Sequence, residues 1–304
     1  MYQGRFAPSP TGPLHFGSLV AAVASYLEAR AQQGKWLLRM EDLDKPREMP
    51  GAADAILNAL EAFGFEWDGG IVYQSQRREA YAEALLTLQN KGLVYPCACS
   101  RKEIADSALH GIDGLVYPGT CRNGLAADKT ARAWRIKVED RTLAFNDAIQ
   151  GAVSQNLSTD IGDFVLKRAD GFYAYQLAVV VDDAEQGITH VLRGADLLDS
   201  TPRQIYLQQA LDYPLPGYAH VPVAANSQGE KLSKQTLAQA LDTKKPGTEL
   251  WDALNFLGQQ PPAALQQADL ATLWDWAKAH WHLTWVPQQR SLLVNGHTLK
   301  PAQT

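Results

Sequence analysis

The first 34 residues combine a short apolar run with a helically spaced apolar set, and this pattern predicts a strand, a turn and a helix. The run Gly4–Ala7 suits a first strand, and prolines at positions 8, 10 and 13 prevent it from continuing as a helix or a strand ladder. After the turn, apolar residues recur at the spacing of one helix face, namely Leu19, Val23, Tyr26 and Leu27. Gly34 follows where a left-handed residue would end that helix.

The turn before this helix has the chemistry of a phosphate site. The start of a helix leaves backbone N–H groups without partners inside the helix, and such groups attract anions. His15 adds a donor at the junction, and Gly12 and Gly17 allow a nucleotide to approach the backbone closely. An ordinary strand-to-helix turn, in which His15 caps the helix or meets solvent, explains the same residues. This segment alone leaves both interpretations open.

A second polar segment, at 230–235, places two lysines on a predicted surface loop. The letters E-K-L-S-K-Q follow the turn-forming cluster N-S-Q-G at 226–229. Lys231 and Lys234 are three positions apart, and cations aimed at an α-phosphate stabilise the charge that grows there during nucleotidyl transfer. The alternative is a solvated basic loop that binds nothing.

Composition narrows the class of protein without identifying it. The chain has 304 residues, 46% of them hydrophobic, which suits one large α/β domain with an insertion. The net charge of −5 argues against a surface broadly coated by nucleic acid, although local basic clusters could still bind it. No apolar run approaches the roughly 20 residues of a membrane span, and the N-terminus lacks a signal-peptide core. We therefore expect a cytoplasmic protein with no membrane partner.

All three cysteines lie within one short segment, which makes a metal site a candidate. Cys97 and Cys99 form a C-x-C pair, and Cys121 follows 22 positions later. A reducing cytoplasm disfavours disulfides, and zinc needs a fourth ligand beside three thiolates. His110 or Tyr117 could supply it, and coordination chemistry alone favours His110 because imidazole is the commoner ligand. Three buried free cysteines are the alternative.

Taken together, these segments resemble the class I aminoacyl-tRNA synthetases. The block L-H-F-G-S resembles their HIGH motif and K-L-S-K-Q their KMSKS motif, while R-F-A-P-S-P-T-G-P-L-H-F-G is similar to the glutamyl and glutaminyl enzymes in particular. Two further blocks agree, L-L-R-M-E-D-L-D at 37–44 and the segment 175–202 that begins Y-Q-L-A-V-V-V-D-D. The resemblance covers about residues 5–235.

The resemblance implies an α/β fold of the Rossmann nucleotide-binding type, with an inserted zinc-bearing subdomain and a short helical C-terminal region. We expect residues 1–90 to form the first half of the catalytic domain, 91–170 the insertion, 171–225 the second half, and 226–304 the lysine loop with a small helical cap. The segment after the loop is shorter than an anticodon-binding domain, so we expect none. Its tryptophans suit packed core better than a base-stacking platform.

The resemblance also implies the site residues, position by position. ATP would be bound by His15, Gly17, Ser18, Lys231, Ser233 and Lys234, of which His15, Lys231 and Lys234 would be catalytic. L-Glutamate would be bound by Arg5, Ala7, Ser9, Glu41, Tyr175 and Arg193. Arginine suits this task because a guanidinium pairs with a carboxylate through two parallel bonds. Surface salt bridges are the alternative role for Glu41 and Arg193.

The zinc ligands implied by the family pattern are Cys97, Cys99, Tyr117 and Cys121, which moves the fourth ligand from His110 to Tyr117. The ion would be single and structural, and Mg²⁺ would accompany ATP. One departure affects glutamate: Gln176 and Val179 replace the histidine and asparagine usual in glutamyl-tRNA synthetases, which predicts weaker binding of the amino acid.

The short architecture resembles the glutamyl-queuosine tRNA(Asp) synthetase family. This resemblance implies a monomeric enzyme that forms glutamyl-adenylate from ATP without tRNA. It then transfers the glutamate to the queuosine base at the wobble position of tRNA(Asp). Two alternatives are a truncated glutamyl-tRNA synthetase that charges a tRNA 3′ end, and a catalytically silent regulator that only binds a nucleotide or an amino acid. Intact H-F-G and K-L-S-K segments argue against the regulator.

Overall fold

The computed structural model describes residues 1–105, 109–111, 114–226, 228–231, 239–295 and 298–301. The helices are α1 Phe16–Ala31, α2 Ala52–Ala62, α3 Arg78–Asn90, α4 Arg101–Ala105, α5 Tyr175–Glu185, α6 Thr201–Ala210, α7 Pro246–Phe256 and α8 Leu270–His280. The first eight strands are β1 Gln3–Phe6, β2 Lys35–Met40, β3 Val72–Tyr73, β4 Val94–Cys97, β5 Leu109–Gly111, β6 Gly114–Val116, β7 Ala133–Ile136 and β8 Thr142–Asp147. The remaining strands are β9 Gly151–Asn156, β10 Val165–Lys167, β11 His190–Gly194, β12 Gly217–Val221, β13 Val223–Ala225, β14 Ser291–Asn295 and β15 Thr298–Pro301.

Two groups of parallel strands lie side by side at the centre of the molecule. Strands β1, β2 and β3 pair in that order, and β11 pairs in parallel with β12. The groups meet where the Thr189 N–H donates to the Gln3 carbonyl oxygen at 2.9 Å. Parallel strands connected by helices bring their carboxyl ends to one edge of the sheet, which is where such folds bind ligands.

Helix α1 packs against this sheet and confirms the predicted strand, turn and helix. Its buried face includes Leu19, Val23 and Leu27, as the apolar spacing predicts. The predicted end of the helix is wrong in detail, because the left-handed residue is Gln33, at φ 51°, and not Gly34. Gly34 serves a different purpose. A Cβ atom there would lie 2.4 Å from the Tyr2 carbonyl oxygen, so a glycine lets β1 and β2 approach each other closely.

Antiparallel strands fill the stretch between the two parallel groups. Strands β4, β7 and β10 form one sheet in the order β10-β7-β4, and β8 with β9 forms a hairpin. The hairpin packs next to β12, and Ala148 donates its N–H to the Tyr218 carbonyl oxygen at 2.9 Å. These strands lie where the sequence predicts an inserted subdomain, and the boundaries at 90, 170 and 225 stay predictions.

The C-terminal helices close one side of the core around α1. Trp274 donates its indole N–H to the Phe63 carbonyl oxygen, and Trp281 donates to Glu28 Oε2, both at 2.8 Å. Both tryptophans are buried, which agrees with the packed-core role predicted for most of these rings, whereas Trp285 is 51% exposed. In the part of the chain that the structure describes, no helix has the length and apolar character needed to cross a membrane.

Candidate active site

A cleft of about 720 Å³ opens at the carboxyl ends of β1, β2 and β11, next to the start of α1. Ten of the residues predicted to bind ATP or glutamate line it: Arg5, Ala7, Ser9, His15, Gly17, Ser18, Glu41, Tyr175, Arg193 and Lys231. Ser233 and Lys234, the other two, lie outside the described residues. The structure thus brings together segments that are far apart in the chain, while the role of each residue stays a prediction.

One wall of the cleft is a buried network of arginines and carboxylates. Arg5 Nε donates to Asp183 Oδ1 at 3.1 Å, and Arg39 Nη1 donates to the same oxygen at 2.8 Å. Arg39 Nη2 also donates to Glu41 Oε1 at 3.4 Å. Because neither arginine is more than 3% exposed, these contacts fix the guanidinium groups beside the cleft.

The two carboxylates of this network have opposite pKa shifts. Burial acts to raise the pKa of Asp183, but Arg5 and Arg39 outweigh burial and hold its pKa below the usual range. Burial raises the pKa of Glu41, and Arg39 only partly offsets it. The surroundings therefore stabilise the ionised form of Glu41 poorly, as is common for carboxyl groups at functional sites.

Arg193, on the neighbouring strand β11, also lines the cleft, and its hydrogen-bond partners are uncharged. Its Nη1 donates to the Tyr175 hydroxyl at 3.3 Å, and its Nη2 donates to Gln204 Oε1 at 2.7 Å and to Thr201 Oγ1 at 3.0 Å. Nε donates to His220 Nε2 at 3.0 Å. Within the described ranges no carboxylate pairs with Arg193, so its charge is available to a carboxylate ligand. These contacts fix the orientation of the guanidinium at the cleft.

The start of α1 forms the floor of the cleft. His15 is the N-cap residue, and its Nδ1 accepts the Ser18 N–H at 3.4 Å. Its Nε2 lies 3.3 Å from Ser18 Oγ. His15 therefore caps the helix, as one of the two interpretations of this turn predicts, and it also faces the cleft. The preceding turn contains Gly12 at φ 141°, a conformation that favours glycine.

Lys231 reaches the cleft from the segment after β13. Its Nζ lies 2.5 Å from Asp196 Oδ2, and Asp196 also lines the cleft. The described part of the lysine loop therefore places a cation at the cleft. Lys234 lies outside the described residues, so its place is a prediction from sequence.

The three cysteines converge, away from the cleft, at the end of β4. All three sulfur atoms lie within 4.8 Å of one another, and Cys99 Sγ is 3.5 Å from Cys121 Sγ. Sulfurs bound tetrahedrally to zinc at about 2.3 Å would be about 3.8 Å apart, so the cluster needs little adjustment to hold the ion. The Tyr117 hydroxyl lies 3.5 Å from Cys97 Sγ and 3.4 Å from Cys99 Sγ.

Neighbours of the cluster also suit a metal bound by thiolates. The guanidinium of Arg135 stacks on the Tyr117 ring at 3.9 Å, and its Nε donates to Cys97 Sγ at 3.4 Å. Arg135 therefore brings a positive charge next to the cysteine cluster. His110 belongs to β5, and its side chain lies outside the described residues. The three cysteines fit a zinc ion, and the choice of Tyr117 as the fourth ligand stays a prediction.

Comparison with known proteins identifies the family. Residues 2–257 match the family described as "tRNA synthetases class I (E and Q), catalytic domain". The chain is 64% identical over 295 residues to the glutamyl-Q tRNA(Asp) synthetase of Dechloromonas aromatica, covering 96% of this chain and 98% of that protein. The protein of that name from Chromobacterium violaceum is 59% identical over 287 residues, 94% of this chain and 96% of its own length. The chain belongs to the glutamyl-Q tRNA(Asp) synthetase family.

Solved structures agree with this membership and confirm the class I fold. The chain is similar to a glutamate tRNA ligase from Elizabethkingia meningosepticum, solved in complex with its amino acid, with a TM-score of 0.76 and 25% sequence identity. The match covers 95% of this chain and 66% of that ligase. The chain thus spans about two thirds of the length of that ligase.

Sequence reasoning missed several residues that support the site in this glutamyl-Q tRNA(Asp) synthetase family member. Arg39, Asp183, His220 and Asp147 are all buried, yet none was singled out. A signal existed for Asp183, because two adjacent aspartates follow the apolar run 177–181, and charges in a buried helix need partners. Nothing local to His220 or Asp147 indicates their contact, since it joins residues 73 positions apart.

Proposed function

We propose that this protein activates L-glutamate with ATP, without a requirement for tRNA, and transfers the glutamyl group to the queuosine base at the wobble position of tRNA(Asp). The observation that carries the proposal is family membership over nearly the full length of the named relatives, together with a cleft suited to an amino acid that has two carboxylates. The cytoplasmic location and the monomeric state expected from the sequence belong to the same proposal.

The charge balance of the cleft favours glutamate as the amino acid. Three of the predicted glutamate-binding residues that line the cleft are charged, Arg5, Arg193 and Glu41, and together they carry one net positive charge when Glu41 is ionised. Glutamate carries one net negative charge at neutral pH. The Glu41 carboxylate suits the α-ammonium group, and Arg193 suits a carboxylate because, among the described residues, it has no anionic partner.

Activation requires the α-carboxylate of glutamate and the α-phosphate of ATP to be held in line. A carboxylate oxygen attacks the α-phosphorus, the bond to the β-phosphate oxygen breaks, and pyrophosphate leaves. His15 at the N-terminus of α1 would hold phosphate, and Lys231 and Lys234 would stabilise the charge that grows on it. Mg²⁺ bound to the phosphates would offset part of that charge. In the second step a hydroxyl of the queuosine cyclopentene ring attacks the activated carbonyl and AMP leaves.

The cysteine cluster would hold one structural zinc ion through Cys97, Cys99, Cys121 and Tyr117. The chemistry that zinc supplies there is cross-linking of the segments 97–99 and 117–121. Arg135 and the buried ring of Tyr117 keep the donors in place before the ion arrives. None of these residues lines the cleft, so the ion would take no part in the transfer.

The proposal is tested by pyrophosphate exchange with glutamate and ATP in the absence of tRNA. Labelled glutamate is then supplied with tRNA(Asp) that contains or lacks queuosine. We expect exchange without tRNA, and label only on the tRNA that contains queuosine. Exchange that demands tRNA(Glu), with label on its 3′ end, would replace the proposal with a truncated charging enzyme, and no exchange under any condition would point to a regulator.

Variants of Arg193 test the assignment of the amino-acid site. R193Q should raise the KM for glutamate about tenfold to hundredfold, because hydrogen bonds to charged groups contribute about 1.5–3 kcal/mol. R168Q is the matched control, since Arg168 pairs with Asp170 at 2.6 Å outside the cleft and should leave the KM unchanged. Equal KM values in the two variants would remove Arg193 from the site.

A further inference from the structure

Behind Arg193 a buried chain of hydrogen bonds leads away from the cleft. His220 Nε2 accepts from Arg193 Nε at 3.0 Å, and His220 Nδ1 lies 2.6 Å from Asp147 Oδ2. His220 is 0% exposed and Asp147 is 1% exposed. His220 belongs to β12 and Asp147 ends β8, so the chain joins the hairpin to the wall of the cleft.

Asp147 is held in one orientation by the backbone. Its Oδ1 accepts three N–H groups, from Ile149 at 3.0 Å, Gln150 at 2.9 Å and His220 at 3.1 Å. Burial acts to raise the pKa of Asp147, but the hydrogen bonds from His220 and the backbone outweigh burial and lower it. The carboxylate is therefore ionised, and its Oδ2 can only accept a hydrogen bond, which His220 Nδ1–H donates.

This contact fixes the tautomer of His220. With the proton on Nδ1, the lone pair of Nε2 faces the Arg193 Nε–H and accepts it. Burial lowers the pKa of His220, the hydrogen bond to Asp147 opposes this effect and the nearby Arg193 charge adds to it, and the resulting pKa of about 4 leaves the ring neutral at physiological pH. Arg193 is thereby oriented by an acceptor without a charge. A carboxylate in that place would orient Arg193 equally well but would neutralise it.

We propose that His220, held in its Nδ1-protonated tautomer by Asp147, is a positioning residue that orients the Arg193 guanidinium toward a substrate carboxylate and leaves its charge unpaired. This inference rests on the proposed function, in which Arg193 binds glutamate. Gln204 holds the other end of the guanidinium and is itself held by Gln176, whose Oε1 accepts the Gln204 Nε2 at 2.9 Å. The uncharged acceptors on both sides leave the cleft-facing edge of Arg193 to the ligand.

The substitution D147N tests the tautomer directly. Three backbone N–H groups require an oxygen at the Oδ1 position, so the amide nitrogen of Asn must face His220 Nδ1. His220 Nδ1 must then accept a hydrogen bond from that amide nitrogen, so the ring proton moves to Nε2. The Nε2–H group then faces the Arg193 Nε–H, and two donors oppose each other. We expect the KM for glutamate in pyrophosphate exchange to rise about tenfold or more, equivalent to about 1.4 kcal/mol. The KM for ATP should not change.

H220N provides a second variant that acts at the other end of the chain. The amide nitrogen of Asn can replace Nδ1 as donor to Asp147, but the Nε2 acceptor of Arg193 is lost. The KM for glutamate should rise as in D147N. D212N is the matched control, because Asp212 is exposed and its φ of 58° is one that Asn also adopts.

A spectroscopic measurement separates this inference from the proposed function. Nitrogen NMR of the protein labelled in its seven histidines distinguishes the two tautomers, and the signal missing in H220N identifies His220. We expect Nδ1–H in the unsubstituted protein and Nε2–H in D147N. An Nε2–H signal for His220 in the unsubstituted protein would overturn the inference even if D147N fails to fold. If R193Q raises the KM while D147N and H220N leave it unchanged, the inference fails alone; if R193Q also leaves it unchanged, the proposed site fails.

Discussion

Arg5 and Asp183 form a buried ion pair across 178 positions of the chain, with Arg5 Nε 3.1 Å from Asp183 Oδ1. Arg5 belongs to β1 and Asp183 to α5, so the pair joins the first strand of the cleft to the helix that precedes β11. Arg39, which is fully buried, shares the same carboxylate. One aspartate thus holds two of the arginines that surround the predicted amino-acid site.

We expect D183N to destabilise the protein strongly. Removing one partner of a buried ion pair leaves an uncompensated charge and costs about 3–5 kcal/mol. Urea unfolding measures the loss. D212N, which alters an exposed aspartate paired with Lys91, should unfold at the concentration seen for the unsubstituted protein. Similar unfolding midpoints for D183N and D212N would show that Asp183 does not stabilise the fold.

The stability gained from Asp183 should depend on pH in a defined direction. Its pKa in the folded protein lies below the usual value, because Arg5 and Arg39 outweigh burial. The contribution is therefore complete above the unfolded pKa of about 3.9 and is lost as the pH falls through the lower folded pKa. The difference in unfolding free energy between the unsubstituted protein and D183N should shrink between about pH 5 and pH 2. A difference that stays constant over this range would contradict the assignment.

Glu41 should show the opposite behaviour, because its pKa is raised by burial. A carboxyl group with a raised folded pKa stabilises the protein below its unfolded pKa of about 4.3, and that contribution is lost as the pH rises through the folded value. E41Q should therefore unfold at a higher temperature than the unsubstituted protein at pH 7.

E41Q should also weaken glutamate binding about tenfold or more, since a charged partner for the α-ammonium group of glutamate is lost. Glutamate titration followed by calorimetry measures this effect. E61Q, on the exposed surface of α2, is the control and should alter neither the unfolding temperature nor the affinity for glutamate. A variant that loses stability and binds glutamate normally would make Glu41 a structural residue only.

Sequence predicted the elements that local patterns determine. The strand, turn and helix at 3–31 follow from proline positions and helical spacing, and the placement of Glu41 and Arg193 at strand ends follows from the apolar residues before them. The end of α1 was predicted wrongly, because both Gln33 and Gly34 suit a helix terminus. Only the contact of Gly34 with Tyr2, 32 positions away, explains why the glycine is needed.

The supporting residues of the site could not be predicted in the same way. Asp147, His220 and Arg193 come from three strands, and each alone is a polar residue in or next to a strand. Their roles depend on the distances between their side chains in the folded protein, which the spacing of residues in the sequence does not indicate. The motif residues are recognisable because they share a local pattern, whereas the residues that orient them are recognisable only in three dimensions.

The cysteine cluster predicts how many thiols react with a thiol reagent before and after removal of the metal. Every cysteine of the chain belongs to the cluster, so no other thiol can contribute to the signal. We expect one zinc ion per chain and no reactive thiol in the native protein. Removal of the metal by a chelator should expose three thiols and lower the unfolding temperature. A metal-free protein with the same unfolding temperature would favour three buried free cysteines.

Substitutions of the two candidate fourth ligands complete that test. Y117F should weaken zinc binding, because the Tyr117 hydroxyl lies 3.4 Å and 3.5 Å from two of the sulfurs. H110A should leave zinc binding unchanged. Zinc affinity is measured by competition with a coloured chelator. The reverse result, loss in H110A with normal binding in Y117F, would assign the fourth ligand to His110.

Gly34 should resist substitution even by alanine. A Cβ atom there would lie 2.4 Å from the Tyr2 carbonyl oxygen and 2.7 Å from Tyr2 Cβ. The same carbonyl oxygen accepts the Lys35 N–H at 3.0 Å, at the start of the pairing between β1 and β2. Relief of the clash requires the two strands to separate there, so we expect G34A to lose about 1–3 kcal/mol of unfolding free energy.

G70A is the matched control, because a Cβ atom at Gly70 would meet nothing within 4 Å. Alanine lowers the entropy of the unfolded chain, so this variant should unfold at an equal or slightly higher urea concentration than the unsubstituted protein. Equal midpoints for G34A and G70A would mean that β1 and β2 can move apart at little cost. The arginine that β1 carries would then be held in place by Asp183 rather than by the close approach of the strands.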